Sequence, residues 1–164
     1  MKLRITHKDQ QGFTLLEAMV ALVVFSVGLL GLGALQLAGM GNNQAAMQQS
    51  IATHLAYDMA ERIRSNAAGR KANLYDDFTA LPNNPNLCTM TEGCTPARVA
   101  TTDNFQWQTD ISNMLFGGRG QVQGDGTEFT ITVRWDPARS GAAGLNCDPS
   151  DQNDLKCLSI YVRP

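Results

Sequence analysis

Charge is scarce over the first quarter of this chain: from Ala18 to Leu35 there is no Asp, Glu, Lys, Arg or His. Histidine is rare throughout. Only His7 and His54 occur, both lie outside the cysteine region, and no C-x-x-C pair exists, so the residues for a conventional zinc site are missing. Gly117-Gly118-x-Gly120 lacks the Gly-Lys-Ser/Thr that completes a phosphate loop and is expected to be a turn. Positive charge is not in excess: 13 Lys and Arg stand against 15 Asp and Glu, a net charge of −2. Nucleic acid is therefore not an expected partner. No Cys–His pattern suggests a nucleophile, and His54, between Thr53 and Leu55, is expected to be solvated or packed. Asp76-Asp77 and Asp148-x-x-Asp151-x-x-Asp154 invite calcium, but the second run has neither the spacing nor the glycine pivot of an EF-hand. The expectation is a protein that is not an enzyme, has no metal site and needs no cofactor.

What the chain does have begins at Gly12-Phe13-Thr14-Leu15-Leu16-Glu17. A short polar leader with Lys2, Arg4 and Lys8 precedes this hexapeptide, and the uncharged run follows. Residues 13–35 make about 35 Å of helix, enough to cross a bilayer once. No second run of this kind occurs, so a single pass is expected. The basic leader places the N-terminus in the cytoplasm and everything after about residue 40 outside. Glu17 is the anomaly. A carboxylate at the bilayer centre costs about 2.5 kcal/mol or more and requires a partner. The run holds no cation, so the partner must come from another chain or from a new N-terminus made by removing the leader. An ordinary secretory signal peptide explains the pattern less well. Its nearest cleavage candidate, Gln36-Leu37-Ala38, has Gln36 at the outer specificity position, and Glu17 is left unexplained.

All four cysteines, Cys88, Cys94, Cys147 and Cys157, lie in the C-terminal half. An even count in an exported domain suggests disulfides, and four cysteines allow three pairings. The local pairs Cys88–Cys94 and Cys147–Cys157 are favoured, because each staples a loop rich in Pro, Asn, Asp and Gly that cannot form its own core. Isolated thiols are the remaining alternative.

From Met40 the pattern turns amphipathic. Met47, Ile51, Leu55, Met59 and Ile63 recur every four residues, flanked by Ala52, Ala56 and Ala60, which predicts a helical stripe continuing to residue 68, with Gly69 as the stop. Asp58 and Arg62 form a favourable i,i+4 pair. Gly28, Gly31 and Gly33 interrupt the apolar half, either for close helix approach, for bending, or as glycines a membrane helix tolerates. Residues 70–102 look loop-like. Asp103 is expected to cap a short helix with Trp107, Ile111, Met114 and Leu115 on its apolar side. Gln121–Gln123 and Thr127–Trp135 read as strands around a Gly124-Asp125-Gly126 turn, and Leu158–Val162 as a last strand.

The hexapeptide in this setting resembles the cleavage and methylation site of type IV prepilins. That resemblance implies a prepilin peptidase and methyltransferase that cuts between Gly12 and Phe13 and methylates the Phe13 amine, with Glu17 docking the subunit into a filament. The run Leu55-Ala56-Tyr57-Asp58-Met59-Ala60-Glu61-Arg62-Ile63-Arg64-Ser65-Asn66 is similar to the stalk of V-type minor pilins, the PilV-like pilus-modification prepilins. So are Trp107 through Leu115, Gly117-Gly118-x-Gly120-x-Val122 and Thr132-Val133-x-Trp135. The departures are a longer cysteine-bearing insertion and no proline near Phe116; the proline that many pilins carry at the position of Ala34 is also absent. The resemblance implies an α+β, type IV pilin-like lollipop: a long N-terminal helix, transmembrane in its first half, on a small antiparallel sheet. Residues 1–12 would be the leader, 13–35 the membrane helix, 36–68 its amphipathic continuation and 69–164 a periplasmic head. The implied role is a minor subunit in the initiation or tip complex of the pilus, serving twitching motility or adhesion. Its partners would be the inner membrane, other minor pilins and the major pilin. A type II secretion pseudopilin shares the leader, and an adhesive or DNA-binding tip module is a third class.

Overall fold

The computed structural model describes residues 14–82, 87–88 and 93–164. Its elements are α1 (Leu15–Ser65), α2 (Ala67–Lys71), β1 (Asp77–Phe78), α3 (Pro96–Met114), β2 (Arg119–Gly124), β3 (Phe129–Trp135) and β4 (Lys156–Val162). The chain divides into two units, Met1–Asn43 and Gln44–Pro164.

In the first unit the described residues are helical from Leu15 onward, and the large apolar side chains point into open space, Leu30 at 75% exposure and Leu35 at 71%. Such a surface is stable only in an apolar medium or against another apolar surface. Among the described residues, α1 is the one helix long and apolar enough to cross a membrane. Around Gly28, Gly31 and Gly33 an added Cβ would meet nothing within 4 Å.

The second unit is built around the amphipathic end of α1. Ala52, Leu55, Ala56, Met59, Ala60 and Ile63 are buried together with Trp107, Ile111, Val122, Phe129, Ile131, Val133 and Trp135. The sheet is antiparallel throughout, in the order β1-β2-β3-β4. Phe129, Ile131, Val133 and Trp135 alternate along β3 and fill the face toward the helices, as a strand's period of two requires. The small alanines let α1 approach closely while Met59 and Ile63 fill the space between. The fold is α+β and type IV pilin-like: a long apolar N-terminal helix whose C-terminal part packs on a four-stranded antiparallel sheet.

Several local expectations change. Met47 is 65% exposed, so the buried stripe begins later, with Ile51 half-buried and Ala52 fully so. The main helix stops at Ser65. Asn66 then caps the short α2, accepting the Gly69 N–H at 3.0 Å, so Gly69 lies inside α2 rather than ending α1. Helix α3 starts at Pro96, well before Asp103. Thr95 is its N-cap, with Oγ1 accepting the Arg98 N–H at 3.3 Å, and Pro96 occupies the first turn where its missing N–H costs nothing. That Thr-Pro signal was present in a stretch expected to be loop. Met114 is exposed, and the apolar side of α3 is Trp107, Ile111 and the following Leu115. The segment 70–102 also contributes β1, whose two residues pair with Gln123 and Val122.

Two glycines in the β2–β3 hairpin have defined tasks. Gly126 adopts φ +80, which the turn demands. Gly120 lies under Trp107, where a Cβ would run into the indole ring.

Candidate membrane anchor and assembly site

Glu17 sits in the first turn of α1 and is exposed. Its N–H is bonded to the Thr14 carbonyl at 3.1 Å and to Thr14 Oγ1 at 3.3 Å, so Thr14 closes the helix start. A carboxylate at a helix N-terminus is favoured by the macrodipole. From Leu15 to Asn43 it is the one ionisable side chain. Gly12 and Phe13 lie outside the described residues.

Away from the anchor, a polar network holds the helices of the second unit together. Arg62 donates from Nε to Asp58 at 2.8 Å and from an Nη group to Gln106 at 2.9 Å, with Asp103 at 3.4 Å. Asp103 therefore does not cap a helix. It accepts the Tyr75 hydroxyl at 2.5 Å, and Asn66 Nδ2 donates to the same hydroxyl at 3.0 Å and to the Pro96 carbonyl at 2.8 Å. Burial, together with the hydrogen bond to Asp103, pushes the Tyr75 phenol well above its usual range. His54, on the same helix, is exposed.

Cys88 is disulfide-bonded to Cys94 and Cys147 to Cys157, with Cα atoms 5.3 and 5.6 Å apart. The first bridge lies beside α3, where the Cys88 N–H meets Thr102 Oγ1 at 2.8 Å. The second ties the loop after β3 to β4. That loop is organised by Asp136. Its buried carboxylate accepts the N–H groups of Ala138, Gly141 and Ala142 at 3.2, 2.8 and 3.3 Å, and its own N–H reaches the Phe116 carbonyl at 2.8 Å. Burial opposes the charge, but these donors outweigh it and hold the carboxyl below its ordinary range. Asp148, Asp151 and Asp154 likewise accept nearby backbone N–H groups at 2.8 to 2.9 Å, so they shape the turn.

Two family models match the chain. One is the prokaryotic N-terminal methylation motif, over residues 7–33, and the other is type IV pilin Tt1218, over residues 34–105. They support a type IV pilin. No curated protein and no solved structure matches the chain. A type IV pilin is a structural protein. The methylation motif implies processing by a prepilin peptidase and assembly with other pilins, and the long apolar helix α1 fits a membrane-anchored pilin. The sequence residues Glu17, Gly12 and Phe13 fall within the first match, and the amphipathic stripe falls within the second.

Proposed function

We propose that this pilin is a minor subunit of a type IV pilus, of the V type, acting in the complex that initiates or caps the filament and so in twitching motility or adhesion. The observation that carries the reading is the lone carboxylate of Glu17, at the start of an uncharged apolar helix and five residues after Gly12. Cleavage between Gly12 and Phe13 creates an amine four residues from Glu17, one helical turn away. N-methylation at Phe13 keeps that amine cationic. Before assembly the pair sits within one subunit; in the filament the amine of one subunit meets the Glu17 of its neighbour. Pairing removes most of the cost of a carboxylate in an apolar medium, whereas deleting one partner leaves the other uncompensated.

Residues 1–12 are then the leader, 13–35 the span, 36–68 the stalk and 69–164 the head. The N-terminus is cytoplasmic and the head periplasmic until the subunit leaves the inner membrane for the pilus. Partners are the prepilin peptidase, other minor pilins and the major pilin. A type II secretion pseudopilin would carry the same leader; the match of residues 34–105 to a type IV pilin model favours the pilus. The test is Glu17→Ala expressed in a strain lacking the native copy. Cleavage and membrane insertion should persist, while the variant is lost from sheared filaments and surface piliation falls. Normal piliation with the variant present in the filaments would remove the docking role.

A further inference from the structure

Arg119 and Arg134 stand directly opposite each other in the β2–β3 ladder. Both are on the outer face of the sheet, because their neighbours Gly120, Val133 and Trp135 are buried against the helices. Directly opposite residues place their Cβ atoms about 5 Å apart, and like charges there are destabilising. Neither guanidinium has an ion pair among the described residues, although the chain is rich in carboxylates. Arg119 is exposed. Arg134 is half-buried and held: its Nε donates to the Leu145 carbonyl at 3.2 Å. That carbonyl is two residues from Cys147, whose disulfide partner Cys157 is the residue opposite Arg134 on β4. A stapled loop thus fixes one arginine while its Nη groups remain without an acceptor among the described residues.

The geometry points to Arg119 and Arg134 as a paired oxyanion site that binds the carboxylate or sulfate groups of an acidic glycan. Two guanidinium forks side by side match a planar or tetrahedral oxyanion bidentately, and the bound anion cancels the repulsion between them. The rest of the face favours a glycan. Gln121, Gln123, Thr130 and Ser159 offer amides and hydroxyls across three neighbouring strands, with Tyr161 as the aromatic surface. Among the described residues this face is polar, without the apolar groove an amphipathic peptide helix would need. A single-stranded polynucleotide would need several aromatic platforms for its bases, and the described residues of this face offer one, Tyr161. The site does not depend on the minor-pilin reading, only on the face being accessible.

The test uses the full chain in neutral detergent micelles, with immobilised heparin and alginate as the sulfated and carboxylated probes. Binding should weaken with rising salt, and Arg119→Gln and Arg134→Gln should each reduce affinity about tenfold, as expected for loss of one charge-assisted contact. The double variant should lose little more than either single, since one anion bridges both. Lys71→Gln, an equal charge change at an exposed position of α2, should leave affinity unchanged. A second readout separates function from folding. Relief of the repulsion should leave the Tm of Arg119→Gln equal to or above that of the parent. Equal losses for Lys71→Gln would reduce the effect to bulk charge and overturn the site. So would unaltered binding in both arginine variants, or a fall in Tm that accounts for the loss. Tighter binding of single-stranded DNA than of either polysaccharide, through the same two arginines, would overturn the glycan.

Discussion

The Trp107 indole N–H donates to the Leu55 carbonyl at 2.8 Å, joining α3 to the middle of the buried stripe of α1 across 52 positions of sequence. Both residues are buried, and the ring also lies over Gly120 of β2. One side chain therefore sets the distance between helix, helix and sheet.

Trp107→Phe should destabilise the head by about 1–2 kcal/mol, the net value of a buried hydrogen bond plus some lost packing. Gly120→Ala should cost about 1–3 kcal/mol by overpacking against the indole. Because both changes act at one contact, the double variant should be more stable than the sum of the two losses predicts. Denaturant unfolding of the four proteins measures this; strict additivity would show that Gly120 and Trp107 are not coupled.

Processing should remove residues 1–12. Mass spectrometry of the mature protein should begin at N-methyl-Phe13, and Gly12→Glu should leave the uncut precursor in the membrane. A mature terminus after Ala38 would instead indicate an ordinary signal peptide.

Exported protein should yield, under non-reducing peptide mapping, one linked pair from Cys88 and Cys94 and another from Cys147 and Cys157. Replacing Cys147 and Cys157 by serine should cost about 2–5 kcal/mol. It should cost more than replacing the first pair, because it frees the loop after β3 from β4. A crossed linkage such as Cys88–Cys157 would contradict the geometry.

Alkaline stability should depend on Tyr75. Its folded pKa lies above the ordinary value of 10.0, so the native state keeps the phenolic proton longer than the unfolded chain does. Its contribution is intact below the unfolded pKa and is lost as pH rises toward the folded one. Tm should therefore fall as pH rises above about 10 in the parent, and fall less steeply in Tyr75→Phe. Identical slopes for the two proteins would remove Tyr75 as the cause.

The sequence by itself determined what depends on residue type and short spacing. The Gly12-to-Glu17 motif, the uncharged run to Leu35, the four-residue recurrence from Ile51 to Ile63, the Gly124-Asp125-Gly126 turn and the alternation of Phe129 to Trp135 are all local patterns, and period alone gives the element and its buried face. The Thr95-Pro96 start of α3 was equally local, but it lay inside a stretch dominated by loop residues. Tertiary structure decided the rest. Met47 obeys the same period as Leu55 yet is exposed, because burial requires a neighbour and period supplies none. Asp103 lies in a segment that suits a helix cap, but Tyr75 and Arg62, distant in sequence, make it the centre of a polar network. Asp136 gained its role from a loop that folds back onto its carboxylate. Arg119 and Arg134 became neighbours through strand register alone. Contacts between distant positions leave no periodic trace in the chain; they are fixed only when the core, the turns and the disulfides close the fold.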